Sequence, residues 1–157
     1  CPSDVVENDS VILRHVMRFP EKIEYLKPNN DYAAGNFKFT TSSMHLHPVE
    51  TYGIKFKIKD TSVSLLSDTM YSDELLNFYK TDILIINVVF LRPHSGVEHL
   101  SLEDARNIIC KVKPKEAIMT HFGMTMLKAK PVLLAEELSK DLGIEVVSAY
   151  DGMALKF

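Results

Sequence analysis

The sequence predicts one domain of the mixed α/β class, with a mixed β-sheet and helices mostly on one face of the sheet. Residues 37–67 alternate apolar and polar side chains with the period of half-buried strands. Residues 72–143 then alternate helical patterns with short apolar runs, an order that favours helices packed on a mixed sheet. With 157 residues, of which 46% are hydrophobic and 25% charged, the chain is long enough to bury a single core.

The first 35 residues carry the weakest pattern. Residues 11–19 could form a strand or a helix, and prolines at 20 and 28 with the pair Asn29-Asn30 divide the segment into short pieces. We therefore assign no element to this segment.

The next part of the chain predicts an antiparallel meander. FKFTTSSMH at 37–45 and GIKFKIK at 53–59 each alternate apolar with polar residues. The polar turn at 59–61 then predicts that the chain returns through SVSLLS at 62–67 as a third strand.

The period changes after Asp68. SDELLNFYK at 72–80 has a Ser-x-Glu start and apolar residues at positions 75, 76 and 79, which predicts a short helix. ILIINVVFL at 83–91 predicts a strand buried on both faces, and residues 93–96 predict a loop.

The last third of the chain predicts two helices, a strand and a hairpin. Residues 101–113 begin with Ser101 as N-cap, followed by acidic residues in the first turn and lysines in the last, which matches the helix dipole. Residues 116–121 predict a buried strand, and 131–143 predict a helix that starts with proline and ends with glycine. Residues 145–157 predict a hairpin around an Asp-Gly turn.

Charge and cysteine content limit the partners and the compartment. A formal net charge of −3 gives no indication of nucleic acid, although a local basic patch could still bind a phosphate. Two cysteines, Cys1 and Cys110, argue against a disulfide framework and predict a cytoplasmic protein. The apolar run at 83–91 is far shorter than the roughly 20 residues of a membrane helix. Since the chain begins with Cys rather than Met, we expect it to continue upstream.

Three residues are candidate metal ligands, because each follows an apolar run where a strand should end. They are His47 in HPVETYG, Asp68 in SLLSDT and His121 in AIMTHFG. Imidazole and carboxylate together suit zinc, manganese or iron. The spacing is too long for one local metal loop, so the three ligands converge only if folding brings several strand ends to one edge. Such convergence is typical of a catalytic site.

The motifs resemble those of the metallo-β-lactamase fold hydrolases, within the branch that contains ribonuclease Z and the cyclic phosphodiesterases of phosphonate metabolism. His47 precedes Gly53 by six residues and the Ser-Asp-Thr aspartate, Asp68, by 21. His99 precedes a predicted helix, and His121 closes the strand after it in a Thr-His pair. The four elements stand in the order of that branch and span residues 47–123.

The resemblance implies a role for each of these residues. His47 would bind one of two divalent metal ions, Asp68 would bridge both, and His121 would bind the other. Zinc is the expected metal, with manganese or iron as alternatives, and a hydroxide held by the metals would attack a phosphodiester or another small ester. His99 would protonate the leaving oxygen or stabilise the charged transition state, and Asp68 would share in catalysis through the metals.

One motif of the family is absent. The His-x-His-x-Asp-His sequence does not occur, and residues 45–50, HLHPVE, match only its first half. The chain therefore resembles the C-terminal half of an αββα sandwich, with residues 1–157 as one domain. Its expected partners are a small-molecule or phosphodiester substrate and either the N-terminal half of the fold or a second copy of the chain. Membrane is not expected, and nucleic acid is neither indicated nor excluded.

Alternatives remain open at each position. A half-fold without catalysis could serve as a binding or assembly module. His47 could be a surface histidine, Asp68 a helix cap and His121 a core histidine, while His99 could be an exposed residue before a helix. His45 shares its strand face with His47, so it could support that ligand or simply be exposed.

Overall fold

A seven-stranded mixed sheet forms the centre of the structure, a computed structural model that describes residues 1–7 and 11–155. The strands lie side by side in chain order, which is β1 Asp31–Ala34, β2 Phe37–Met44, β3 Tyr52–Ile58, β4 Thr61–Leu66, β5 Ile83–Asn87, β6 Glu116–Thr120 and β7 Glu145–Ser148. Strands β1 to β4 pair antiparallel, and β4 to β7 pair parallel. The predicted mixed sheet is confirmed.

The predicted meander is confirmed in β2, β3 and β4. The turn from β3 to β4 places Lys59 in the left-handed region at a φ of 52°, and Phe56 lies opposite Val63 across the two strands. Strand β1 was not predicted from the sequence, and it joins β2 through a turn at Gly35 with a φ of 59°. The ladder between β2 and β3 is irregular between Thr41 and Met44, just before the long loop at 45–51.

Two of the three helices are those that the sequence predicts. Helix α1, Leu102–Val112, begins at a reciprocal capping box in which the Asp104 N–H donates to the Ser101 hydroxyl and the Ser101 N–H donates to the Asp104 carboxylate. Helix α2, Met124–Lys128, was not predicted. Helix α3, Pro131–Leu142, ends at Gly143, whose φ of 64° is the left-handed conformation common after helices.

All three helices pack on one face of the sheet. Residues of α1 repeating with helical period (Ala105, Ile108, Ile109 and Val112) are buried against β5 and β6. The fully buried sheet residues on this face include Leu84, Ile86, Ala117 and Met119. The opposite face carries a smaller cluster of Val63, Ile83 and Ile118, with half-buried Phe56, Ile85 and Leu155 beside it. The predicted arrangement, with helices on one face, is therefore confirmed.

The predicted helix at 72–80 is wrong. The structure has a single 3-10 turn, Asp73–Leu75, capped by Ser72. A nine-residue segment gains little from isolated helix formation, and here Leu75, Leu76 and Tyr79 are all buried against the core in the short connection to β5. Burial of these three side chains outweighs helix propensity.

The predicted strand at 83–91 ends early, at Asn87. Beyond it the Val88 N–H donates to the Thr120 carbonyl at 2.9 Å, and the Val89 N–H donates to the Leu100 carbonyl at 3.1 Å. The first bond still joins the chain to β6, and the second draws it away from the sheet, toward the segment that precedes α1.

The predicted C-terminal hairpin is also wrong within the described residues. Strand β7 pairs parallel with β6 instead of with residues 153–155, which form no strand. Leu155 packs against the sheet face beside Ile118, so apolar burial replaces strand pairing there. The end of the predicted hairpin, Lys156 and Phe157, lies outside the described residues.

Among the helices of the described ranges, none has both the length and the apolar character needed to cross a bilayer.

Loss of the capping box should weaken the fold. We expect Ser101→Ala to lower the free energy of unfolding of the full-length protein by about 1 kcal/mol, because the first turn of α1 loses a side-chain acceptor. Urea unfolding followed by circular dichroism measures this. Ser95→Ala, in an exposed loop, is the control and should change stability by less than about 0.5 kcal/mol. Equal effects of the two substitutions would contradict the role given to the cap.

Candidate metal centre

The candidate site lies where parallel strands end at one edge of the sheet. Asp68 follows β4 by two residues, Asn87 is the last residue of β5, and His121 directly follows β6. Because these strands are parallel and in register, their carboxyl ends meet at the same edge. His99, which precedes the N-cap of α1, and His47, in the loop between β2 and β3, reach the same edge. The structure thus brings together all four residues that the sequence singles out.

Asp68 lies between two imidazoles, one at each carboxylate oxygen. Its Oδ1 is 3.6 Å from His99 Nδ1, and its Oδ2 is 3.4 Å from His121 Nε2. The Asn87 amide donates to Oδ1 at 2.9 Å, which holds the carboxylate in this orientation. Both imidazole distances exceed the roughly 2.8 Å of a charge-assisted hydrogen bond. A carboxylate with an imidazole at each oxygen has the arrangement that a bridging ligand needs.

A second set of contacts brings His47 to the same carboxylate. His47, Asp68 and His99 each offer a ligand atom, and these atoms lie within 4.8 Å of one another. His99 Nδ1 is buried and has no hydrogen-bond partner. An unsatisfied buried polar atom costs about 1–3 kcal/mol, so its presence here is evidence for a bound group. Two imidazoles and a carboxylate fit a divalent transition metal ion.

The structure places His99 differently from the expectation based on its sequence position. The sequence hypothesis gives this residue a proton-transfer role, whereas its Nδ1 lies among the potential ligand atoms of the site. The two roles need different ring nitrogens. His121, predicted as a ligand, contacts Asp68 on the opposite oxygen and stands outside the group formed by His47, Asp68 and His99. The ligand roles of His47, Asp68 and His121 and the proton-transfer role of His99 stay predictions.

The hydrogen bonds of His47 determine its tautomer. Its Nδ1 lies 3.3 Å from the Val49 carbonyl oxygen and 3.1 Å from the Thr51 hydroxyl. The Thr51 hydroxyl itself donates to the Val49 carbonyl at 2.9 Å, so its oxygen is free to accept. A carbonyl only accepts, which requires the proton on Nδ1 of the histidine. The Nε2 lone pair of His47 is therefore available to a metal.

The backbone at His121 is constrained. Its φ of 59° is left-handed, a conformation that costs a residue with a side chain on the order of 1–3 kcal/mol. Two residues on, a Cβ at Gly123 would lie 2.6 Å from the Val89 carbonyl oxygen, so only glycine fits there. The tight turn points the chain away from β6 at the histidine. Strain of this kind is common where a side chain must face a functional site.

His45 is part of the support beneath Asp68. It is 3% exposed, and its Nδ1 lies 3.0 Å from the Asp68 backbone carbonyl oxygen while its Nε2 lies 2.6 Å from the Tyr79 hydroxyl. Burial lowers the pKa of His45, which favours the neutral ring. Of the two alternatives that the sequence left open, the exposed one is wrong.

Tyr79 is fully buried, and a glycine makes room for it. A Cβ at Gly53 would lie 1.8 Å from the Tyr79 hydroxyl oxygen and 2.8 Å from the Leu65 carbonyl oxygen. Burial raises the pKa of Tyr79, so its hydroxyl stays protonated and donates to His45. A glycine is thus required at position 53 because it leaves room for Tyr79, which donates a hydrogen bond to His45.

The loop at 45–51 is anchored to the start of the chain. The Ser3 N–H donates to Glu50 Oε2 at 2.6 Å, and the Tyr52 hydroxyl donates to Glu50 Oε1 at 2.6 Å. The Ser3 and Tyr52 bonds lower the pKa of Glu50, while burial and the Glu50 contact raise the pKa of Tyr52 to about 12. These bonds hold the loop that carries His47.

Sequence reasoning missed two residues of the site, Asn87 and Tyr79. Asn87 carried a usable signal, because it is the single polar residue within the apolar run at 83–91. Tyr79 carried none, since its apolar spacing fitted a helix face. A cavity of about 640 Å³ beside His121, which the sequence does not indicate, is lined by residues including Thr120, Phe122, Leu127, Pro131 and Tyr150. Its volume suits a small-molecule ligand.

Comparisons with known proteins agree on one fold. A family model described as the beta-lactamase superfamily domain matches residues 3–122. The uncharacterized protein MJ1374 of Methanocaldococcus jannaschii is 28% identical over 155 residues, which is 96% of this chain and 57% of that protein.

Several solved structures are similar to the chain over most of its length. The metallo-beta-lactamase fold protein YhfI of Bacillus subtilis has a TM-score of 0.70 at 22% identity, covering 83% of this chain and 54% of the other. A diphosphatase of the PhnP family has a TM-score of 0.65 at 24% identity, covering 87% of this chain and 49% of the other. The chain therefore spans about half the length of the proteins that it matches.

Crowding at Gly53 yields a prediction about stability. We expect Gly53→Ala to destabilise the full-length protein by about 1–3 kcal/mol, because the added methyl group overlaps Tyr79 and a backbone carbonyl. Thermal or urea unfolding measures this. Gly35→Ala is the matched control, since its φ of 59° is left-handed but no atom lies within 4 Å of the added methyl group. It should cost about 1 kcal/mol. A smaller loss at Gly53 than at Gly35 would contradict the packing described here.

Proposed function

The chain belongs to the β-lactamase superfamily, and we propose that it is the C-terminal half of a dinuclear metal-dependent hydrolase acting on a phosphodiester or another small ester. Membership confirms the resemblance to metallo-β-lactamase fold hydrolases that the motifs indicated. One observation carries the proposal: the Asp68 carboxylate has His121 Nε2 3.4 Å from Oδ2 and a ring nitrogen of His47 within 4.8 Å of a carboxylate oxygen. A carboxylate shared in this way suits two cations better than one.

The donor set supports the choice of metal. Neutral imidazole nitrogen and carboxylate oxygen are ligands of zinc, with manganese and iron as alternatives. His47 would contribute Nε2, Asp68 both oxygens and His121 Nε2. Three ligands are fewer than two cations require, so other ligands would come from the N-terminal half of the fold. Divalent ions in such a site lower the pKa of water and polarise a phosphoryl oxygen.

Other residues of the chain would orient the ligands, supply a proton and bind the substrate. Asn87 holds the Asp68 carboxylate, and the Val49 and Thr51 oxygens orient the His47 ring. His99 is our candidate for giving a proton to the leaving oxygen, because a histidine side chain beside the site can act as a general acid. The cavity beside His121 would receive the substrate.

The substrate class rests on the site rather than on the fold. One structure of similar fold is named a diphosphatase and another an isothiocyanate hydrolase, so the fold is compatible with more than one chemistry. A pair of cations held by neutral imidazoles suits the negative charge of a phosphodiester. Cys1 and Cys110, both exposed and unpaired, support the cytoplasm as the compartment.

The sheet face opposite the helices supports the proposed partner. Phe37 is 42% exposed, and Ile54, Phe56, Ile85 and Val147 are half-buried on this face. A contiguous apolar surface of this kind usually marks an interface. We propose that the N-terminal half of the fold covers it, in keeping with the half-length match to relatives. A second copy of the chain is the alternative, and a half-fold without catalysis is the rival function.

Removal of single ligands tests the metal site. In the full-length protein we expect His47→Ala, Asp68→Ala and His121→Ala to lower hydrolysis of bis(p-nitrophenyl) phosphate by more than about 100-fold, beyond the range typical of supporting residues. Asp68→Ala should also release the most metal, measured by elemental analysis, because it serves both ions. His15→Ala, at an exposed position, should change neither quantity. Normal metal content in all three variants would contradict the proposed site.

The exposed sheet face predicts the behaviour of the 157-residue chain alone. We expect it to self-associate, because its apolar face needs cover, and to bind metal weakly with no appreciable hydrolysis. Sedimentation velocity at high dilution measures the association. A monodisperse monomer with cooperative unfolding, or tight binding of two zinc ions, would show that the half-domain interpretation is wrong.

A further inference from the structure

We propose that His45 is a positioning residue, which fixes the Asp68 carboxylate through the Asp68 backbone carbonyl, with Tyr79 selecting the tautomer of the histidine ring. This inference rests on the proposed function, because it concerns the same candidate metal site. It gives a role to His45 and Tyr79, a buried polar pair that is not part of the proposed set of metal ligands. His45 has both ring nitrogens engaged within the protein, so neither is available to a metal.

The direction of each hydrogen bond follows from the chemistry of the partners. The Asp68 carbonyl oxygen can only accept, so the proton of His45 lies on Nδ1, 3.0 Å from it. Nε2 then has a lone pair and accepts from the Tyr79 hydroxyl at 2.6 Å. The Ser67 hydroxyl, 3.3 Å from Nδ1, donates to the Tyr52 carbonyl at 2.7 Å and does not compete for the ring. The arrangement therefore specifies one tautomer.

The Asp68 carbonyl is an effective point from which to control the carboxylate. Asp68 lies beyond the end of β4, so sheet pairing no longer determines the rotation of its peptide group. Neighbouring bonds hold the rest of the turn, since the Met70 N–H donates to the Leu46 carbonyl at 2.9 Å. A peptide rotation would swing both carboxylate oxygens relative to His99 and His121. A misplacement of about 1 Å in a catalytic group can cost roughly 100-fold in rate.

The surroundings of Tyr79 show that the pair is rigid. The tyrosine is 0% exposed, and its hydroxyl fits against the bare Cα of Gly53. Buried hydrogen-bond networks of this kind, with every member satisfied, specify one geometry. The His45 ring thus joins the loop after β2 to the turn after β4 and to Tyr79, which lies between the 3-10 turn and β5.

Three substitutions separate positioning from general stability. Asn at position 45 can place an amide N–H near the position of Nδ1, so His45→Asn retains the bond to Asp68. His45→Gln places its amide nearer the position of Nε2 and loses that bond. Tyr79→Phe keeps the ring and removes only the hydroxyl that donates a hydrogen bond to His45 Nε2.

The experiment titrates the full-length protein and its variants with Mn²⁺ in a calorimeter and measures kcat and KM on bis(p-nitrophenyl) phosphate. We expect His45→Gln to weaken Mn²⁺ binding by about 10–100-fold and to lower kcat with little change in KM. His45→Asn should retain most of both quantities, and Tyr79→Phe should fall between. Urea unfolding of the metal-free proteins is measured in parallel, so that a loss of folding stability is distinguished from a loss of metal affinity.

The outcomes distinguish this inference from the proposed function. Wild-type protein that binds no Mn²⁺ is titrated with Zn²⁺ as well, and binding of neither ion overturns the proposed function, and the inference with it. The inference alone is overturned if wild-type protein and His45→Gln bind the metal ion with equal affinity. It is also overturned if His45→Asn and His45→Gln lose equal amounts of affinity. Nitrogen-15 shifts of the His45 ring in the metal-free wild type give an independent readout for a case in which the variants fail to fold. They should show protonated Nδ1, and protonated Nε2 would overturn the inference.

Discussion

The parallel register of β4, β5 and β6 is the constraint on which the candidate site depends. Leu66 lies opposite Ile86, and Ile86 lies opposite Met119, so the three strands end at nearly the same height. All three of these side chains are buried against the helices. A slip of one residue would turn each strand's apolar residues to the other face, which makes the register energetically specific. The side chains of Asp68, Asn87 and His121 meet because that register holds.

The polar groups beneath the site would weaken the core if any of them lacked a partner. Ser42, His45 and Tyr79 are all buried, and each makes hydrogen bonds within the structure. Satisfied in this way, the network adds directional bonds where an apolar core would allow several packings. His99 Nδ1 is the contrast, since it is buried and without a partner. The ring nitrogens of His45, below Asp68, thus both have hydrogen-bond partners, whereas Nδ1 of His99, beside Asp68, has none among the described residues.

The two faces of the sheet have different environments. The helix face holds the larger core, in which Leu84, Ile86 and Met119 are fully buried. The other face holds three buried residues with half-buried apolar side chains, Leu155 among them, packed against them. The chain spans about half the length of its relatives, and a second layer packed on this face would account for the asymmetry. The candidate metal site lies at the sheet edge, where both layers of such a sandwich would be able to contribute ligands.

Local periodicity, capping and motif spacing are enough to predict the meander, the capped helix α1 and helix α3, and to single out His47, Asp68 and His121 as candidates. The short 3-10 turn at Asp73–Leu75, the early end of β5 and the burial of His45 follow from tertiary contacts instead. In each of these cases long-range contacts outweigh local preference: Tyr79 packs into a space left by Gly53, 26 residues before it, and His45 bonds to a carbonyl 23 residues away. Local pattern cannot report such contacts, because their partners become neighbours only when the sheet has formed.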